Sequence, residues 1–206
     1  MSRRPNAPRQ VRIIAGQWKR TPLPVPDVEG LRPTPDRVRE TVFNWLEHLQ
    51  HRSWRGRHCL DLFAGTGALG FEAASRGAES VVMVESDAHA IQRLEATRDK
   101  LSASNVRIQR GDAVQWLTHQ TQKFHLIFLD PPYAEKRLPT LLPRCRDLLA
   151  PGGLVYAEAD QPFTGSEMDQ WMDAWKVVRL DKAGVVHFGL FASDETGGNE
   201  EASFRR

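Results

Sequence analysis

The sequence predicts an α/β protein with a doubly wound, Rossmann-like sheet of seven mostly parallel strands. From residue 57 onward, short apolar runs alternate with segments of helical periodicity, and the loops between them are short. Alternation of this kind indicates successive βαβ units. Four successive strands also end at or near an acidic residue, namely Asp61, Glu85, Asp112 and Asp130. Since the carboxyl ends of parallel strands share one edge of a sheet, we expect the functional site there.

The amino-terminal part contains a small hairpin and a helix. Residues 11–15 and 18–23 predict two short basic strands around a turn at 16–17, and prolines then favour an extended connector. Residues 35–49 predict a helix, because apolar residues recur at helical spacing and Thr34 precedes a proline, which is typical of an N-cap.

The remaining elements follow the βα alternation. The predicted strands are 58–63, 80–84, 106–109, 124–129 and 154–158, and the predicted helices are 68–76, 88–101, 113–118 and 138–149. Two further apolar runs, 175–180 and 185–191, flank a turn at 181–184. They predict an antiparallel hairpin that is added to the sheet edge.

Length and composition suit a single α/β domain with an appendage. We assign residues 1–33 to a basic extension, 34–192 to the main domain and 193–206 to a disordered tail. The sequence shows no run of about 18 apolar residues and no secretory signal, so we expect a cytoplasmic protein. Its two cysteines lie in apolar stretches, which favours buried reduced thiols over a disulfide or a metal site.

Charge is distributed unevenly along the chain. Residues 1–60 contain twelve Lys and Arg against five Asp and Glu, although the net charge of the whole chain is only +2. Such a local excess is typical of a surface that binds the phosphates of a polyanion. The candidate contact residues are Arg12, Trp18, Lys19, Arg20 and Arg37. A solvated basic tail is the alternative, and Trp18 is equally suited to packing on the main domain.

The segment Asp130-Pro131-Pro132-Tyr133 follows the fourth strand of the alternating series. Both prolines fix φ and lack an N–H donor, so the turn is rigid and presents carbonyl oxygens as acceptors. A carboxylate, a free carbonyl and an aromatic ring together suit a planar group that bears an NH2, such as a nucleobase amine. We expect Asp130 and the Pro131 carbonyl to accept the amine hydrogens while Tyr133 stacks on the ring. A strand end with a surface tyrosine is the alternative.

A glycine-rich loop follows the first strand of that series. It reads G-T-G-A-L-G from Gly65 to Gly70 and leads into a helix, and Glu85 at the next strand end is placed to hold a ribose diol. This is the dinucleotide fingerprint, so a nicotinamide-dependent oxidoreductase is one interpretation. A carboxylate recognises vicinal hydroxyls, however, and the motif therefore predicts an adenosine-containing ligand rather than a particular reaction.

Two further carboxylates favour S-adenosylmethionine as that ligand. Asp61, near the end of an apolar strand, is placed to meet the cationic amino group of a methionine moiety, and Asp112 is placed to orient toward an adenine N6 amine. Each also has a plain structural interpretation, as a satisfied strand-end carboxylate and a helix N-cap respectively. Their joint occurrence with Glu85 and Asp130 favours the cofactor site.

With these motifs together, the sequence resembles the class I S-adenosylmethionine-dependent methyltransferases, and more narrowly the bacterial RsmD family, which methylates the N2 amine of one guanine in 16S ribosomal RNA. The resemblance covers about residues 11–191 and rests on the segments 12–20, 31–46, 61–78 and 129–133 together with Glu85. It implies that the cofactor is bound by Asp61, Gly65, Gly67, Glu85 and Asp112. It also implies that the guanine is held by Asp130, Pro131 and Tyr133.

The resemblance further implies that the protein acts on the assembled small ribosomal subunit. We expect a monomer, and because a sulfonium methyl group is already activated, we expect no metal. Other interpretations share parts of the pattern. A DNA methyltransferase acting on the N6 amine of adenine or the N4 amine of cytosine would carry the same sheet motifs. A nicotinamide-dependent oxidoreductase would leave the D-P-P-Y segment unexplained, and a non-catalytic RNA-binding protein would have no need of an intact acceptor turn.

Overall fold

The computed structural model describes residues 10–26, 34–49, 51, 53–132, 137–163, 172 and 174–194. Strands in these ranges are β1 (Gln10–Arg12), β2 (Pro22–Pro24), β3 (His58–Asp61), β4 (Ser80–Glu85), β5 (Val106–Arg110), β6 (Phe124–Leu129), β7 (Leu149–Ala159), β8 (Trp175–Ala183) and β9 (Val186–Ser193). Helices are α1 (Asp36–Leu49), α2 (Ala68–Ser75), α3 (Ala88–Leu101), α4 (Ala113–Leu117) and α5 (Leu138–Arg146). Tyr133, residues 1–9 of the basic extension and residues 195–206 of the predicted disordered tail lie outside the described residues.

A seven-stranded sheet has the order β5-β4-β3-β6-β7-β9-β8. The first five of these strands pair in parallel, whereas β9 pairs antiparallel with both β7 and β8. This arrangement confirms the doubly wound α/β fold and the carboxyl-terminal hairpin. The chain runs outward from β3 through β4 to β5 and returns on the other side of β3 as β6. The strand order therefore reverses between β3 and β6, which is where open α/β sheets bind ligands.

Helices cover both faces of the sheet, and strand side chains alternate between them. On one face, Phe128 of β6 and Tyr156 of β7 join an apolar cluster that includes α1 and α2. On the other face, Ile127 and Val155 join a second cluster that includes α4 and α5. This alternation decides which strand-end side chains meet at the edge of the sheet.

The amino-terminal extension packs on the main domain through apolar side chains. β1 and β2 form an antiparallel hairpin in which Val11 pairs with Leu23. Val11, Ile13 and Leu23 are buried in the cluster that contains α1 and α2. The hairpin is confirmed, but its predicted strands at 11–15 and 18–23 are too long. The intervening residues form a wide turn, because part of their backbone bonds to α2 instead of pairing across the hairpin.

Two polar residues of α2 fix this turn. The fully buried carboxylate of Glu72 accepts hydrogen bonds from the backbone N–H of Ile14 at 2.6 Å and of Ala15 at 3.0 Å. The Ser75 hydroxyl oxygen accepts from the backbone N–H of Trp18 at 2.9 Å, and this hydroxyl donates to the Ala15 carbonyl at 2.6 Å. Buried backbone groups need such partners, so the turn is an integral part of the fold.

Some predicted boundaries are wrong. Helix α5 ends at Arg146 rather than at residue 149, and β7 begins at Leu149, so the Pro-Gly-Gly segment at 151–153 lies within a strand. The pairing of β7 with β6 shifts register there, which accommodates these residues. In the carboxyl-terminal hairpin, β8 continues to Ala183, so the turn is shorter than predicted. Within the described ranges, no helix combines the length and the apolar character that a membrane crossing requires.

Candidate active site

The glycine loop after β3 makes a tight turn into α2. Gly67 has a left-handed backbone with φ of 74°, a conformation that strongly favours glycine. A Cβ atom at Gly70 would lie 2.5 Å from the Met83 side chain on β4, so this glycine allows α2 to pack closely on the sheet. The motif thus serves the turn and the helix packing, two of the roles that glycines have in dinucleotide-binding loops.

Asp61 lies at the end of β3, beneath this loop. It is only 2% exposed, and its Oδ2 atom accepts a hydrogen bond from the Gly70 N–H at 3.0 Å. Burial raises the pKa of Asp61 to about 7, and the nearby charge of Glu85 adds to the rise. The pKa of this carboxyl therefore lies near neutral pH, and a bound cation would stabilise its ionised form.

Glu85 at the end of β4 contacts the glycine loop directly. Its Oε2 atom accepts from the Gly65 N–H at 2.8 Å. Its Oε1 atom accepts from the backbone N–H groups of Ser86 and Asp87, each at 2.8 Å. These bonds fix the orientation of the carboxylate beside the loop, and Oε2, which accepts one bond, keeps a further acceptor position for a hydroxyl group.

Asp112 follows β5 and is the N-cap of α4. Its Oδ1 atom accepts from the N–H groups of Val114 at 2.9 Å and Gln115 at 3.0 Å, and its Oδ2 atom accepts from Arg137 at 2.7 Å. The hydrogen bond from Arg137 is the main reason that the pKa of Asp112 is lowered. The capping role weighed as the alternative is therefore present, whereas the adenine contact stays a prediction. Sequence reasoning did not anticipate the partner Arg137.

Asp130 follows β6 and is partly exposed at the strand end. The buried Thr34 hydroxyl, which was expected to cap α1, donates to Asp130 Oδ2 at 3.1 Å. Burial of its carboxyl raises the pKa of Asp130 well above the usual range, and the charges of Glu158 and then Asp61 raise it further. Pro131 is buried and Pro132 is exposed, so the chain turns outward at this point.

Glu158 near the end of β7 was not predicted as a site residue. It is 2% exposed, and the Tyr156 hydroxyl donates to its Oε1 atom at 2.7 Å. Leu129 of β6 pairs with Ala157 of β7, so Asp130 and Glu158 are the next residues on two adjacent parallel strands. The available signal was the acidic residue at the end of an apolar strand, the same feature that identified the other carboxylates.

The electrostatics of this edge suit a cationic ligand. Asp61, Asp130 and Glu158 lie at the ends of three adjacent strands. The charges of Glu158 and Asp61 contribute to the raised pKa of Asp130, and the charge of Glu85 contributes to the raised pKa of Asp61. A pyrophosphate would add negative charge to such a site, whereas a sulfonium with an ammonium group would relieve the repulsion. The residues present therefore fit S-adenosylmethionine better than a dinucleotide.

The predicted RNA-contact residues lie on the extension and on α1. Arg12, Lys19, Arg20 and Arg37 are exposed, as a phosphate contact requires. Trp18 is half-buried and packs against the cluster that contains α1 and α2, so part of its ring already has an apolar partner. The structure therefore agrees with the alternative weighed for Trp18.

Comparison with known proteins gives a consistent result. The family model described as Conserved hypothetical protein 95 matches residues 11–192. The chain is 37% identical over 194 residues to Ribosomal RNA small subunit methyltransferase D of Escherichia coli (strain K12), covering 91% of this chain and 92% of that protein. The protein of the same name from Haemophilus influenzae is 37% identical over 197 residues, covering 91% of this chain and 96% of that protein.

A solved structure supports the same relationship. The structure of yhhF from Escherichia coli, named as a candidate methyltransferase, matches with a TM-score of 0.77 and 37% sequence identity. The match covers 89% of this chain and 98% of that chain. The sheet described above thus belongs to a fold seen before.

Proposed function

Because the chain belongs to the family described as Conserved hypothetical protein 95, the RsmD family, we propose that it transfers a methyl group from S-adenosylmethionine to the N2 amine of one guanine in 16S ribosomal RNA. The chain is a methyltransferase with relatives named for the small-subunit ribosomal RNA. The choice of guanine N2, of the assembled subunit and of the individual site residues is our proposal. The main support for this proposal is the position of Asp130, which lies beside Asp61 and the glycine loop where the strand order reverses.

The cofactor side of the site is formed by the loop after β3 and the strand ends beside it. We assign the methionine ammonium to Asp61, the ribose diol to Glu85, and the adenine amine to Asp112, with Gly65 and Gly67 shaping the loop. When bound, S-adenosylmethionine supplies an activated methyl group on a sulfonium centre. The protein then has mainly to place an amine in line with that methyl, and positioning alone can supply about 7–11 kcal/mol of the barrier.

The substrate side is the turn after β6. Asp130 Oδ1 and the Pro131 carbonyl are assigned as acceptors for the two hydrogens of the guanine N2 amine. Two acceptors favour a more pyramidal nitrogen and stabilise the positive charge that develops on it during transfer. The hydrogen bond from Thr34 to Oδ2 keeps the Asp130 carboxyl in one orientation. Tyr133 is assigned to stack on the base once the base has left its own stack, at a gain of about 1–3 kcal/mol.

The alternatives differ in their support. An oxidoreductase is not retained, because the relatives are methyltransferases. Methyl transfer to another base amine uses the same acceptor turn. A tRNA (adenine-N6)-methyltransferase of Shigella boydii is 35% identical over 92 residues, which cover 43% of this chain. The family match at 11–192 includes the amino-terminal segments, and these favour the ribosomal RNA substrate.

The substrate assignment is tested by mapping the methyl group. The protein is incubated with labelled S-adenosylmethionine and either bare 16S RNA or small ribosomal subunits from cells that lack the modification. We expect label in N2-methylguanine at one position, and more of it in the assembled subunit than in bare RNA. Label in N6-methyladenine, or label only in DNA supplied as a competitor, would overturn the proposal.

A further inference from the structure

Asp130 and Glu158 form a carboxyl pair at the sheet edge, and only Asp130 has a role in the proposed function. Leu129 and Ala157 are partners across β6 and β7, so the residues that follow them stand side by side. In parallel strands such neighbours point to the same face. Here that is the face of Phe128 and Tyr156, since these precede Asp130 and Glu158 by two residues.

The surroundings leave the Glu158 carboxyl little access to water. Glu158 is 2% exposed, with the Tyr156 hydroxyl 2.7 Å from its Oε1 atom, and Phe188 of β9 pairs with it across the antiparallel ladder. On the other side, the Thr34 hydroxyl reaches Asp130 from the segment before α1. Among the described residues, Asp61 of β3 is a second carboxylate whose charge acts on Asp130. Within the described ranges, the charges of Glu158 and Asp61 thus both oppose ionisation of Asp130.

Methyl transfer to an amine releases a proton that needs an acceptor. The amine nitrogen gives its lone pair to the methyl carbon, the carbon–sulfur bond breaks toward sulfur, and the nitrogen then carries one proton too many. Asp130 is the carboxylate assigned to that nitrogen. An ordinary aspartate is a weak base at neutral pH, and a proton acceptor works best when its basicity matches the operating pH.

We propose that Glu158 is a positioning residue for this step: its carboxylate, fixed beside Asp130, makes Asp130 a stronger base, so that Asp130 takes up the proton the amine loses. Two neighbouring carboxylates, one of them buried, do not both ionise easily, so the second proton of the pair is lost only at raised pH. The raised pKa of Asp130, to which Glu158 contributes, agrees with this geometry. The catalytic role of this pair rests on the proposed function, whereas the coupled ionisation of Asp130 and Glu158 does not.

The coupling is tested without activity by carbon-13 NMR of the full-length protein with labelled Asp and Glu carboxyl carbons. The Asp130 signal is assigned with Asp130→Asn. In the unmodified protein we expect the Asp130 and Glu158 signals to follow the same two titration steps. In Glu158→Gln, Asp130 should titrate in one step, with its midpoint lower by about one pH unit or more. Glu79→Gln removes an exposed carboxylate before β4 and should leave the Asp130 titration unchanged.

Independent single-step titrations in the unmodified protein, or an unchanged Asp130 midpoint in Glu158→Gln, would overturn the inference. The first criterion needs no variant, so it holds even if Glu158→Gln does not fold. Single-turnover methylation at saturating cofactor gives the catalytic readout, since the acidic limb of its pH profile should move to lower pH in Glu158→Gln by the same amount. If the titrations couple as expected but guanine is not methylated, the proposed function fails and the coupling stands.

Discussion

The proposed role of Asp61 requires an ionised carboxylate, but ionisation at this buried position costs free energy. The residue is 2% exposed, and burial raises its pKa from 3.8 to about 7. In the unfolded chain the same carboxyl would ionise near pH 4. A group whose pKa is raised by folding contributes stability that is present below the unfolded value and is lost as the pH rises through the folded value. Asp61 therefore lowers the free energy of unfolding at neutral and alkaline pH.

We expect Asp61→Asn to stabilise the protein at pH 8 by up to about 4 kcal/mol and to have little effect near pH 4. Asparagine can still accept from the Gly70 N–H but carries no charge to bury. The measurement is urea unfolding at both pH values.

The same variant should bind S-adenosylmethionine about 10–100-fold more weakly, as expected for the loss of a charged hydrogen bond. Calorimetric titration measures this affinity. Unchanged cofactor affinity would remove Asp61 from the cofactor site, and an equal stability change at both pH values would contradict the explanation by burial of charge.

Among the elements, the amino-terminal hairpin depends most on a single close contact. Gly16 has φ of 81°, and a Cβ atom there would lie 1.9 Å from the Ser75 carbonyl oxygen at the end of α2. This glycine lets the turn reach α2, where Glu72 and Ser75 bond to its backbone. The hairpin would have to move away from the domain to accept a side chain.

Gly16→Ala should therefore lower the free energy of unfolding by about 1–3 kcal/mol more than the matched variant Gly56→Ala does. Gly56 also has a left-handed backbone, with φ of 73°, but a Cβ atom there meets nothing within 4 Å. Both variants carry the same conformational penalty, so their difference measures the clash alone. Denaturant unfolding supplies both values, and equal losses would show that the turn does not need this close approach.

The basic residues of the same element are predicted to anchor RNA by its phosphates. Deleting the extension is a poor test, because Val11 and Ile13 belong to the core. The exposed Arg12, Lys19 and Arg20 can instead be changed together to Gln. We expect weaker RNA binding and a salt dependence whose logarithmic slope is smaller by about 2–3, at roughly 0.7–0.9 for each lost phosphate contact.

The control for this variant exchanges three exposed basic residues elsewhere, Arg93, Lys100 and Arg107, for Gln. It changes the net charge equally but leaves the extension intact. If both triple variants lower the slope of RNA binding by the same amount, the effect comes from overall charge and the extension is not an anchor.

At the scale of the whole molecule, the sequence predicts the sheet and its binding edge because both depend on local patterns. Apolar runs that end in a carboxylate identify the strands, and Asp87 caps α3 as its position directly before an amphipathic helix suggests. The parallel pairing of the central strands follows from the βα alternation, since crossovers in parallel sheets obey few rules. The carboxylates at 61, 85, 112 and 130 consequently reach one edge of the sheet.

The partners of buried polar groups were not predictable in this way. Thr34 and Asp130 are separated by 96 residues, and Glu72 lies 58 residues from Ile14. Such pairs depend on how separate elements pack, and no local spacing encodes them. The same holds for Glu158, because its proximity to Asp130 is evident only when β6 and β7 are placed side by side.

The central claim is that Asp130 acts on the substrate amine and not in holding the fold or the cofactor. The most direct measurement combines the methylation rate of Asp130→Ala on small ribosomal subunits with its affinity for S-adenosylmethionine by calorimetry. We predict a loss in rate of about 100–1,000-fold or more with the cofactor affinity changed only a few-fold. Near-normal methylation by this variant, or loss of cofactor binding in parallel with activity, would contradict the account.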